Sequence, residues 1–141
     1  MKPNLKRFLE AHAGVYDTTL AELRAGQKQT HWMWFIFPQI QGLGQSETAK
    51  FFALESLAEA RAYLAHAILG PRLRECSQAM LDNGDRSAFE ILGSPDDLKL
   101  KSSMTLFEQA ACEEPVIFTA VLDRFYDGNR CALTLQFLSA T

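Results

Sequence analysis

Cysteine is scarce in this chain and badly spaced for cross-linking. The three cysteines, Cys76, Cys112 and Cys131, are odd in number and include no Cys-x-x-Cys pair, which excludes a disulfide framework and a zinc knuckle. Their expected role is that of small residues packed on helix faces. Long apolar runs are also missing. The longest, Trp32 to Phe37, is far too short to span a bilayer. The opening Met1-Lys2-Pro3-Asn4 leads directly into mixed polar sequence with no signal-peptide core. A cytoplasmic location without membrane association is therefore expected.

There is no basic stripe either. The 14 Lys and Arg and 17 Asp and Glu are scattered along the chain for a net charge of −3, so no nucleic-acid partner is expected. His-Glu-x-x-His, Gly-x-Ser-x-Gly, Ser-x-x-Lys and EF-hand patterns are all absent. This removes the foothold for a metal-dependent or serine-hydrolase mechanism, and neither metal nor cofactor is expected.

What the chain does have is apolar and aromatic material. A hydrophobic fraction of 48%, with ten Phe, two Trp and three Tyr in 141 residues, is far above that of a disordered chain. At this length one core is expected, so residues 1–141 are read as a single domain.

Leu5, Phe8, Leu9 and His12 recur at helical spacing. Asp17 is placed to cap a second helix through Leu20, Leu23 and Arg24, which Gly26 ends. Thr30 to Pro38 has no polar face, so its period does not separate a buried helical turn from a buried strand; Pro38 ends it in either case. Gln39 to Gln45 reads as a loop, after which Ser46 caps a helix through Phe51 and Phe52. Ser56 with Glu59 and Ser87 with Glu90 match the capping box. Pro71, Pro95 and Pro115 suit helix first turns. Leu100, Met104, Phe107 and Ala111 form one helical stripe, and Phe118, Val121, Leu122 and Phe125 form another, ending at Asp127-Gly128. Leu133 to Phe137 alternates with period two and reads as an extended tail docked on the core. The fold expected is an all-α, compact single-domain array of about eight short helices with an extended C-terminal tail.

Four stretches carry a resemblance: Thr30-His31-Trp32-Met33-Trp34-Phe35-Ile36-Phe37-Pro38-Gln39, Gly42-Leu43-Gly44, Leu69-Gly70-Pro71-Arg72-Leu73, and Pro95 to Phe107. In these long words the chain resembles the bacterial domain-of-unknown-function family 1810 over almost its whole length. The resemblance implies a mainly helical fold and brings no established activity. Some members are called calpastatin-like, but an inhibitor that wraps its protease as a disordered chain is polar and poor in aromatics; this chain is neither. The family's end, as the resemblance implies it, has a glycine, an aspartate three positions on, and a Thr-Leu pair beginning three positions later. Gly128, Thr134 and Leu135 fit that spacing, and Cys131 stands at the aspartate position.

Two constellations can carry chemistry. The first runs from His31 to Ser46, where His31, Trp32, Trp34, Gln39, Gly42, Gly44 and Ser46 offer planar surfaces for stacking and loop or helix-start N–H groups for an anion. Its Gly-x-Gly lacks the third glycine of a dinucleotide fingerprint and the Gly-Lys-Ser/Thr of a phosphate loop. The second runs from Asp96 to Thr105, where Lys99, Lys101, Ser102, Ser103 and Thr105 put polar groups on a helix that gains little from hydroxyl residues. Each has a plain alternative: an aromatic core segment followed by a turn for the first, and structural hydroxyls with pairs such as Asp97–Lys101 for the second.

The leading expectation is a binding domain in which the two segments form one cleft for a small anionic or nucleotide-like ligand. If the aromatic segment is helical, Trp32 and Trp34 point to opposite sides, one into the core and one into the cleft. The alternatives are a protein-interaction module without ligand, and an enzyme acting on nucleotide or ADP-ribose substrates through Asp96 or Asp97 with Lys99 or His31.

Overall fold

The computed structural model describes residues 5–111 and 114–139, so Met1 to Asn4 and Cys112 lie outside it. Among the described residues there are ten helices and no strand: α1 Lys6–His12, α2 Tyr16–Ala25, α3 Met33–Ile36, α4 Glu47–Phe52, α5 Leu57–Ala65, α6 Leu69–Leu81, α7 Ala88–Leu92, α8 Asp96–Ala110, α9 Val116–Tyr126 and α10 Ala132–Ser139. The all-α class expected from the caps and stripes is the observed one, with ten helices in place of about eight.

Helix α8 is the axis of the array and packs against α5, α7, α9 and α10, while α6 packs against α2, α5 and α9. The stripe that places α8 there is the one read from sequence: Leu100, Met104 and Phe107 have no exposed surface, and Phe118, Val121 and Leu122 of α9 are equally buried. Tyr63 of α5, Phe107 and Phe118 form a row with ring centroids 5.4 and 5.9 Å apart. Burying each large apolar side chain of this kind is worth about 1.5–3 kcal/mol.

Several local signals resolve differently in space. Asp17 lies in the first turn of α2, whose N-cap is Val15. There it favours the positive helix end without capping it. Ser87 and Glu90 form the full capping box. Ser56 accepts the Glu59 N–H at 3.2 Å, but the Glu59 carboxylate turns to the Glu55 N–H and to Arg7. The extended tail is overturned: Ala132–Ser139 is a helix. Leu133 and Leu135, which create the period-two pattern, are 56% and 38% exposed. The buried contacts come from Thr134 and the half-buried Phe137 and Leu138, spaced as one helical face.

Candidate functional site

The aromatic segment forms a single helical turn, α3, closed by the Phe37 N–H to Met33 carbonyl bond at 3.1 Å. Pro38 then holds Phe37 out of the helical region. The segment before α3 is fixed by one carboxylate. Glu22 of α2 accepts from the N–H groups of Gln29 and Thr30 at 2.8 and 3.1 Å, from the Thr30 hydroxyl at 2.7 Å, and from the Trp32 indole at 2.9 Å. Burial raises the pKa of this carboxyl, but the hydrogen bonds outweigh it and leave it at about 2. Trp32, thus anchored, has no exposed surface.

Trp34, two residues on, faces the other way and is partly exposed. Lys99 of α8 sets its ammonium 5.3 Å from the Trp34 ring centroid, within cation–π range. Met33, Trp34, Phe37, Gln39, Gly44 and Lys99 are among the residues lining a cavity of about 10 Å³, room for about one water molecule. The loop wall is held by a parallel bridge in which the Gln41 N–H donates to the Leu54 carbonyl and the Leu54 N–H donates to the Gln39 carbonyl, at 2.8 and 2.9 Å. Gly44 is required at this wall, since a Cβ there would lie 2.4 Å from that of Ala49.

The two segments named from sequence therefore meet, through a subset of their residues. Trp34, Gln39, Gly44 and Lys99 converge on the cavity. His31 and Ser46 are exposed, and Ser46 caps α4 by accepting the Ala49 N–H at 3.1 Å. Gly42, also exposed, has φ +106° and lies against the Phe137 ring. Lys101 is partly exposed, while Ser102, Ser103 and Thr105 are closed to solvent at 7%, 0% and 0%.

Of the α8 hydroxyls, those of Ser102 and Thr105 serve the protein itself, while the fully buried Ser103 hydroxyl has no hydrogen-bond partner among the described residues. The Ser102 hydroxyl lies 3.3 Å from the Leu98 carbonyl and 3.2 Å from the Cys131 sulfur, with one proton to give to either acceptor. Thr105 donates to the Lys101 carbonyl at 2.8 Å and accepts the Cys131 N–H at 3.0 Å. Cys131 is thus the joint between α8 and the start of α10. Burial pushes the Cys131 thiol up, yet the Ser102 hydroxyl and the Thr134 and Leu133 N–H groups bring it below its ordinary value. Cys76, in contrast, is fully buried and pushed up to about 12 by desolvation.

Three features were not visible in sequence. Glu22, the anchor of the aromatic segment, is one of many surface-type carboxylates. Lys28 lies 5.2 Å from the Trp32 ring centroid and 3.0 Å from Asp96, and Asp96 also pairs with Lys99 at 3.7 Å. This arrangement replaces the Asp97–Lys101 pair expected along the helix. Finally, His12 is buried, with Arg72 donating to Nδ1 at 3.1 Å and Nε2 against the Phe35 carbonyl at 2.7 Å. A guanidinium only donates, so the imidazole is neutral and Nε2 carries the proton. Burial lowers its pKa, which keeps it in that state. The sole hint in sequence was a histidine on the apolar stripe of α1.

The sequence profile of a family described as "Protein of unknown function (DUF1810)" matches residues 2–138. The chain belongs to that family. Among solved structures, the chain is similar to the conserved hypothetical protein Rv1873 from Mycobacterium tuberculosis, with 50% identity, 97% of each chain covered and a TM-score of 0.95. Comparison with curated proteins gives no match. For this DUF1810 chain the similarity therefore fixes the fold, and any function must be argued from the cleft.

Proposed function

We propose that this chain is a binding domain for a small anionic ligand, taken at the mouth of the cleft between α3 and the start of α8. One observation carries this reading: Lys99 and Trp34, from the two polar-rich segments, stand together at a partly open cleft with the ammonium 5.3 Å from the indole centroid. A cation beside an aromatic plane in a partly dry setting suits a ligand with an anionic group and a flat or apolar body.

The size of the cavity narrows the ligand. At about 10 Å³ it accepts one oxygen-sized group, so a nucleotide does not enter whole. An anionic oxygen would occupy the cavity, with the remainder of the molecule lying across Trp34 and Gln39. No histidine, cysteine or serine side chain is among the lining residues, so binding is better supported than catalysis. The described cysteines are unpaired, which suits a reducing compartment such as the cytoplasm. Among the described residues no helix is long and apolar enough to cross a membrane.

The test is a thermal-shift panel of inorganic phosphate, sugar phosphates, nucleotides and ADP-ribose on the wild type and Lys99→Ala. A ligand at 100 times its dissociation constant adds about 2.7 kcal/mol of stability. The expected outcome is a shift with at least one phosphate compound that disappears in Lys99→Ala. A flat panel, or a shift that survives the substitution, contradicts the reading.

A further inference from the structure

Cys131 immediately precedes α10, and its backbone is fixed at both ends. Its N–H donates to Thr105 Oγ1 at 3.0 Å, and its carbonyl accepts the Leu135 N–H at 3.2 Å. The sulfur faces donors. The hydroxyl of the buried Ser102 lies 3.2 Å from it, and the N–H groups of Leu133 and Thr134 in the first turn of α10 point to it. Such surroundings favour the thiolate, the nucleophilic form of the side chain. Cys131 is also partly exposed, so a small reagent reaches it. Cys76 is its opposite, fully buried with its S–H directed to the Tyr16 phenol oxygen.

Thr134, three residues on, has no exposed surface, and its hydroxyl oxygen is buried without a hydrogen-bond partner among the described residues. Its side chain nonetheless stands beside the Cys131 sulfur, close enough to lower the thiol pKa. A buried hydroxyl left unpaired is costly, and an oxygen atom at that sulfur would pair with it. We infer that Cys131 is a modification site, where a hydroperoxide oxidises the thiolate to a sulfenic acid and the Thr134 hydroxyl receives the transferred oxygen. The sulfur attacks the terminal oxygen of the peroxide, so that an S–O bond forms and the O–O bond breaks. Sulfur gives up two electrons to the peroxide, the hydroxyl stays on sulfur, and the RO⁻ fragment leaves and takes a proton from water. This chemistry is independent of the cleft reading above.

The experiment treats the reduced full chain, wild type and Thr134→Val, with hydrogen peroxide and separately with iodoacetamide at one pH. Peptide mass spectrometry follows the loss of the Cys131 and Cys76 thiols, and dimedone, a cyclic 1,3-diketone, traps sulfenic acid. Alkylation depends on the thiolate fraction and on access but transfers no oxygen. The ratio of the peroxide rate to the alkylation rate therefore isolates the Thr134 contact. The expected outcome is a dimedone adduct at Cys131 and none at Cys76. Thr134→Val, which keeps the shape and removes the hydroxyl, should lower the rate ratio about tenfold, the scale of one hydrogen bond to a charged group. On the same ground the wild-type ratio at Cys131 should exceed that of free cysteine about tenfold.

An unchanged ratio in Thr134→Val would make Thr134 a packing residue and overturn the inference. A Cys131 that is alkylated but yields no dimedone adduct overturns it as well, and so does one that reacts with neither reagent. Should Thr134→Val not fold, the wild type carries the test: a rate ratio no higher than that of free cysteine contradicts the inference.

Discussion

Glu22 accepts four hydrogen bonds from the segment that follows its own helix, so its ionisation is coupled to the placement of Trp32. Its folded pKa of about 2 lies below the ordinary carboxyl value of 4.5. The stability it contributes is therefore full above about pH 4.5 and is lost as the pH falls toward 2. Allowing for solvent around this partly exposed group, the contribution is about 1 kcal/mol. Melting temperatures measured from pH 6 to pH 2 should fall less steeply across that window in Glu22→Gln than in the wild type. Parallel curves would mean that the four bonds do not distinguish the charged from the neutral form. The tryptophans give a second prediction. Trp32→Ala empties a fully buried site and should cost about 3–5 kcal/mol, whereas Trp34→Ala should cost far less stability and remove anion binding. Equal losses in denaturant melts would show that both rings are core.

At the scale of elements, the contact between α5 and α6 depends on Gly70. A Cβ at this residue would lie 2.1 Å from the Leu64 carbonyl oxygen, a backbone atom that cannot swing aside. Gly70→Ala should therefore destabilise by about 1–3 kcal/mol or more, the usual range for overpacking, as read by urea denaturation. A neutral result would mean that the two helices separate freely. The sequence revealed elements where a local rule had no competitor: Gly26 ending α2, the box at Ser87 and Glu90, and the apolar stripes of α8 and α9. It misled where tertiary contacts outbid the local rule. Glu59 left its capping role for Arg7, and α10 alternates like a strand because two of its leucines face solvent.

On the scale of the whole molecule, α8 joins the core to the cleft. Its apolar stripe fixes the helix in the core, while its first turn carries Asp96 and Lys99 to the aromatic segment. The meeting of the two segments was readable as an expectation because both carry polar groups that local structure does not explain. Which residues meet was not readable. Ser102 and Thr105 turn to the Cys131 joint, a contact 26 to 29 positions away in sequence, and Lys28 enters from a loop with no motif of its own. The central claim is that the Trp34–Lys99 cleft takes an anion. The most direct measurement is the Trp34 indole N–H resonance in a ¹⁵N-labelled sample titrated with phosphate compounds. The account predicts a saturable shift of that resonance in the wild type and none in Lys99→Ala; an immobile Trp34 resonance, or the same shift in both proteins, would contradict it.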